Sequence, residues 1–220
     1  MKTNPYILLS PRLFEIPEYG ETRLALDLEW GKFVKSLGAT AIPLMDDGDP
    51  SPYFDLPGLR GLILTGGNDL NSLNPSDLSR RRDSFELKLL KMARAKSLPI
   101  VGVCRGAQLL AEEAGFSFRE CEGHIATRHK VLMQEPVGDS RFLPEDFNSE
   151  VNSFHRFGVI GVSDSADVLA LDESDGVEAF WDEGRASLGI MWHPEREVPF
   201  RDCDLRLFKN IFDLQDRKNK

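Results

Sequence analysis

The sequence has little of what a membrane, a nucleic acid or an oxidising environment would demand. No apolar run approaches the ~18 residues of a membrane span. The first such run, Tyr6-Ile7-Leu8-Leu9, is too short for the core of a signal peptide and reads as a strand. No membrane association is expected. A net charge of −9 argues against the broad basic face of a nucleic-acid binder, though not against a local basic pocket. Cysteine is scarce: Cys104, Cys121 and Cys203 are odd in number and lack paired spacing. That disfavours a disulfide framework and points to free thiols in a reducing, cytoplasmic setting. Internal repeats and low-complexity tracts are missing. His124 and His129 lie five residues apart without a matching acid cluster, so neither a metal site nor a cofactor is expected.

What is present suits one domain, residues 1–220. A chain of this length buries roughly 70% of its unfolded surface and needs no covalent staple. Short apolar runs alternate with segments of helical period. Strands are expected at Tyr6 to Leu9, Ala39 to Leu44, Gly61 to Thr65 and Pro99 to Val103. Helices are expected at about Arg23 to Leu37, Ser84 to Lys96 and Arg105 to Ala114. Buried strands that alternate with helices imply an α/β fold, with a mainly parallel central sheet flanked by helices on both faces. The second half differs. Short strands are expected near Val131, at Val159 to Val162, Val168 to Leu171, Val177 to Trp181 and Ser187 to Met191, before a last helix from about Asp204 to Leu214. Asp46 to Pro57 and Gln134 to Asn148 read as loops.

Gly102-Val103-Cys104-Arg105-Gly106 has the form G-x-C-x-G between a strand and a helix. This is a nucleophile elbow with cysteine in the serine position. The sharp turn strains the backbone of the nucleophile, and its neighbours two residues away must be small. The helix N-terminus then favours thiolate. Cys121 and Cys203 lack this frame and read as structural. A thiolate that attacks an amide needs an acid for the departing nitrogen. His193, after the apolar Leu188 to Trp192, begins His193-Pro194-Glu195. In an extended segment Glu195 would point the same way as His193 and orient its ring.

Together these residues resemble class I glutamine amidotransferase domains, and more closely the γ-glutamyl hydrolases of that superfamily. The landmarks run in order: Leu64-Thr65-Gly66-Gly67-Asn68-Asp69, Arg82 to Glu86, Cys104 to Gln108, Val151-Asn152-Ser153-Phe154-His155, and His193-Pro194-Glu195. The resemblance implies a flavodoxin-like fold and a Cys104–His193–Glu195 triad. It implies an oxyanion hole from the backbone N–H groups of Gly67 and Arg105. Such a donor is worth roughly 3–4 kcal/mol in the transition state. It also implies substrate contacts from Gly66, Asn68, Gln108, Ser153 and His155. No metal or cofactor is implied.

Asn68-Asp69 stands where amidotransferase glutaminases usually carry proline. The segment Asn68 to Pro75, the triplet Arg80-Arg81-Arg82, Tyr19 to Arg23 and Trp30 are similar to a narrower group. These are the γ-glutamyl-CDP-amidate hydrolases of bacterial surface-polysaccharide synthesis. On that resemblance the partner is a small γ-glutamyl substrate, a nucleotide-linked one among the candidates, with Arg82 near its diphosphate. A homodimer is compatible with the sequence. The alternatives are a hydrolase of γ-glutamyl amines or peptides, a glutaminase subunit that feeds ammonia to a synthase, and a non-catalytic regulatory protein of the same fold.

Overall fold

The computed structural model describes residues 4–45, 48–134 and 150–214. The loop expected at Gln134 to Asn148 therefore lies, but for Gln134, outside the described residues.

The chain opens with β1 (Tyr6–Ser10), then a hairpin of β2 (Arg12–Ile16) and β3 (Glu21–Ala25), then α1 (Glu29–Ser36) and β4 (Thr40–Pro43). It continues through α2 (Ser51–Phe54), β5 (Leu59–Leu64), α3 (Asp77–Ala95), β6 (Ile100–Val103) and α4 (Arg105–Ala114). The second half holds β7 (Ser117–Glu120), β8 (Ile125–Met133), β9 (Glu150–Phe154), β10 (Phe157–Ile160), β11 (Asp167–Asp172), β12 (Val177–Asp182), β13 (Ser187–Ile190) and α5 (Asp202–Ile211).

The strand order is β4-β1-β5-β6-β13-β12-β11-β8-β9. The first five strands are mutually parallel, and β13 lies beside β6 although much chain separates them. From β12 onward the pairing is antiparallel. The parallel strands are apolar on both faces because helices cover both. In β1, Ile7 and Leu9 face one core with Trp30, Phe33 and Val34 of α1 and Leu207 and Phe208 of α5. Tyr6 and Leu8 face the other, with Phe85, Leu89 and Leu90 of α3 and Ala107, Leu110 and Ala111 of α4.

Three expectations are corrected. The helix expected from Arg23 starts only at Glu29, because Glu21 to Ala25 pair with β2. The helix expected from Ser84 begins seven residues earlier, at Asp77, where the Ser76 side chain accepts from Ser79 N–H at 3.0 Å and caps the first turn. That puts the arginine triplet inside a helix. The acidic stretch expected as loop carries the one-turn α2. Among the described residues, no helix is long and apolar enough to cross a membrane.

Candidate active site

Cys104 sits at the bend between β6 and α4, with φ 53° and ψ −107°. A residue other than glycine rarely holds a positive φ, and one that does so beside a helix start is strained into place. The surrounding packing imposes it. Cys104 N–H donates to Ile190 O of β13 at 2.8 Å, and Gln108 N–H donates to Cys104 O at 2.9 Å. A Cβ on Gly102 would meet the Gly106 backbone at 2.5 Å, and one on Gly106 would collide with Leu64 O of β5. The two glycines are thus required by close backbone approach, as the G-x-C-x-G spacing suggests.

His193 follows β13 directly. Its Nδ1–H donates to Glu195 Oε1 at 2.7 Å. The route to this contact differs from the expected extended segment. Pro194–Arg196 form one 3-10 turn, and Arg196 N–H closes it on His193 O at 3.1 Å, which folds Glu195 back onto the ring. Asn152 of β9 grips the same residue by its backbone. Its Nδ2 donates to His193 O and its Oδ1 accepts from His193 N–H, both at 2.8 Å. The Phe154 ring stands edge-on to the imidazole, 5.5 Å between centroids. Asn152 and Phe154 lie in a segment whose sequence points to a site only through Ser153 and His155.

The other face of the imidazole meets the sulfur. Burial by itself raises the Cys104 pKa, but the charge and hydrogen bond of His193, then His155 and the Arg105 N–H, bring it below its ordinary value. Burial by itself lowers the His193 pKa, but Cys104 and then Glu195 outweigh it and raise it to about 9. Each charge supports the other, so the contact favours the thiolate–imidazolium form of the pair.

Gly66 and Gly67 pass beside this pair. Arg82 of α3, 1% exposed, runs beneath them and is not at a cleft mouth. Its guanidinium donates to Thr65 O at 2.6 Å, Gly66 O at 3.0 Å and Gly67 O, while its Nε donates to Glu86 at 2.9 Å. With these donors spent on protein acceptors, Arg82 acts as a clamp rather than the diphosphate contact expected of it. In a trans peptide the N–H points opposite to the preceding carbonyl. Holding Gly66 O toward α3 therefore turns Gly67 N–H away from α3. The Arg105 side chain is also buried, paired with Asp83 and Glu86, which leaves its backbone N–H next to the sulfur.

The cleft beside the sulfur, about 330 Å³, is lined by Gly67, Asn68, Gln108, Phe154, His155 and Arg156, among others. Gln108 is 3% exposed and donates to Phe157 O at 2.7 Å. Asn68 spends its side-chain amide on Leu13, accepting from its N–H and donating to its C=O, both at 3.1 Å. Ser153 does not line the cleft. It lies on the opposite side of β9 and donates to His124 O at 2.8 Å. His155 does face the cleft, and its far side approaches Glu178 of β12. The expectation that His124 and His129 lack a matching acid is thereby corrected, because the sheet brings Glu178 to them.

Among known proteins, residues 17–195 match the peptidase C26 family. The γ-glutamyl-CDP-amidate hydrolase of Campylobacter jejuni is 36% identical over 212 residues, which is 95% of this chain and 98% of that protein. One component of the glutamine-hydrolysing GMP synthase of Methanococcus vannielii is 26% identical over 162 residues, 74% of this chain and 78% of that one. A glutamine amidotransferase of Thermotoga maritima superposes with a TM-score of 0.63 at 16% identity, over 96% of this chain and 85% of that one, a likeness of fold alone.

Proposed function

The chain belongs to the peptidase C26 family, and from that premise we propose that it hydrolyses a γ-glutamyl C–N bond with Cys104 as nucleophile, His193 as acid and base, and Glu195 as the group that orients the imidazole. The observation that carries this reading is Cys104 at a strained strand-to-helix bend against His193, with Glu195 2.7 Å from the far nitrogen of the ring.

The Cys104 thiolate attacks the γ-carbonyl carbon, and the C=O electrons move to oxygen. That oxyanion rests on the N–H groups of Gly67 and Arg105. It collapses, the C–N bond breaks, and His193 gives its proton to the departing nitrogen. A γ-glutamyl thioester remains on Cys104. Water then attacks, His193 takes its proton, and glutamate leaves as the thiolate returns. Gln108 and His155 line the same cleft and are placed to hold the γ-glutamyl group.

For the substrate we propose γ-glutamyl-CDP-amidate, whose leaving group would be cytidine diphosphoramidate. Support comes from the 36% identity to the Campylobacter jejuni hydrolase along nearly the full length of both chains. Arg82 takes no part in this. Arg156, half-exposed at the cleft and paired there with Glu120, is the cation we assign to the diphosphate. Asn68-Asp69 after the double glycine favours a stand-alone hydrolase over an ammonia-delivering subunit.

The test is glutamate release from glutamine, γ-glutamyl amines, γ-glutamyl peptides and γ-glutamyl-CDP-amidate, by the isolated protein and by Cys104→Ala. The isolated wild type should turn over the nucleotide-linked substrate fastest, and the variant should lose at least ~10³-fold. Equal turnover by both proteins sinks the mechanism. A preference for another γ-glutamyl compound replaces the leaving group alone.

A further inference from the structure

Behind the cleft wall, four ligating side chains from separate stretches of sequence converge. His124 lies just before β8, His129 in β8, His155 just after β9 and Glu178 in β12. One ligating atom from each falls within 4.8 Å of all the others. His155 Nε2 and His129 Nε2 stand 3.4 Å and 3.6 Å from the same oxygen, Glu178 Oε1. The His124 ring lies 4.7 Å from that of His129 and 4.8 Å from that of His155, between centroids.

Two of these groups are buried, two are partly exposed, and several of their polar atoms lack hydrogen-bond partners. His155 is 3% exposed and Glu178 1%. Both ring nitrogens of His155, Nε2 of His129 and Oε2 of Glu178 are out of solvent and lack a hydrogen bond. The 3.4 Å approach of His155 to Glu178 is thus a charge contact without hydrogen-bond geometry. Buried polar atoms are normally satisfied, and the unpartnered Nε2 atoms of His155 and His129, both facing Glu178 Oε1, call for a shared occupant.

We propose that His124, His129, His155 and Glu178 bind a divalent transition-metal ion, zinc being the ion that suits them, and that this ion pins the β8–β9 hairpin to β12. Bonds of about 2.0–2.2 Å in a tetrahedron put neighbouring ligand atoms about 3.4 Å apart, the separation already found from Glu178 to His155 and His129. Three imidazoles and one carboxylate are a nitrogen–oxygen set fit for zinc and unsuited to calcium or magnesium. Outer partners are in place as well. His129 Nδ1 lies 3.1 Å from Lys130 O, which leaves Nε2 as its inward nitrogen. His124 has Ser153 Oγ 3.3 Å from Nδ1. Because His155 also faces the cleft, the ion would fix the wall against which substrate rests.

The test uses tag-free, full-length protein. Its metal is removed with a chelator, zinc or cobalt(II) is added, and excess is removed. Bound metal is then measured by plasma mass spectrometry, and cobalt geometry by visible absorption. One ion per chain is expected, with the intense d–d bands of tetrahedral cobalt and no thiolate charge-transfer band. Chelation should lower the melting temperature and zinc should restore it. Cys104→Ser with all remaining thiols alkylated should keep the ion, which separates this cluster from Cys104 and His193. His129→Gln and Glu178→Gln should each weaken zinc binding by at least about 10–100-fold. The chelation and add-back arm on wild type stands even where a variant fails to fold. The proposal is overturned if wild type retains no ion, if thiol blocking removes it, or if His129→Gln binds as tightly as wild type. A proton between His155 and Glu178 is then the occupant.

Discussion

Gly66→Ala isolates the catalytic geometry from the rest of the fold. The φ of Gly66 lies outside the left-handed region, so alanine takes its backbone conformation without strain. The added Cβ would lie 2.7 Å from His193 Cε1, 3.5 Å from His193 Nε2 and 3.6 Å from Cys104 Cβ. Carbon atoms rest about 3.5–4.0 Å apart, so the ring must retreat by about 0.8 Å or more. It has little room to do so. Glu195 holds Nδ1, Asn152 holds the backbone on both sides, and Phe154 closes one edge. A misplacement of that size costs about 10²-fold in rate, while one overpacked methyl costs about 1–3 kcal/mol of stability. The assay is kcat for glutamate release, beside thermal unfolding and the pH dependence of Cys104 alkylation. The expected result is a folded protein, lowered in melting temperature by several degrees, with kcat down about 10²-fold and the thiol titrating higher. A folded Gly66→Ala protein with unchanged kcat and an unchanged alkylation profile would refute the claim that the ring is held against this glycine.

Three further outcomes follow from the same geometry. Arg82→Met strands the carbonyls of Thr65, Gly66 and Gly67 and should destabilise the fold by about 3–5 kcal/mol in urea titration; kcat should fall with the lost orientation of Gly67 N–H, by about 10²-fold. Activity needs thiolate and imidazolium together. It should fall as pH drops through the lowered pKa of Cys104 and again as pH rises through the raised pKa of His193, at about 9. His193→Gln removes the main influence that lowers the thiol pKa, so the midpoint of iodoacetamide alkylation should move upward. A midpoint equal to wild type would remove His193 as the partner.

Sequence reading reaches the parallel half of the fold and the reacting residues because each has a local signature. The glycine frame of Cys104 is required by backbone contacts within one turn. Leu26, Trp30, Phe33, Val34 and Leu37 repeat with a helical period, and the same periodicity misleads at Arg23 to Ala25, where pairing with β2 overrides it. The strand β8 is mostly exposed, and its polar middle, Thr127 to Lys130, hides its nine-residue length. Arg82 looks like one of three solvated charges. What buries it is Glu86 four residues on and the carbonyls of a loop from another strand, and only the former is visible in sequence. The cluster of His124, His129, His155 and Glu178 has no sequence spacing to find, because three separate strand pairings assemble it.

The change of strand direction at β13 has an evolutionary consequence. Bond-breaking groups hang from the ends of parallel strands, whose packing tolerates few substitutions, whereas Ile125, Phe154 and Arg156 border the cleft from the antiparallel wing. Substitutions in that wing can therefore alter the molecule the cleft accepts without disturbing the tightly packed turn around the sulfur.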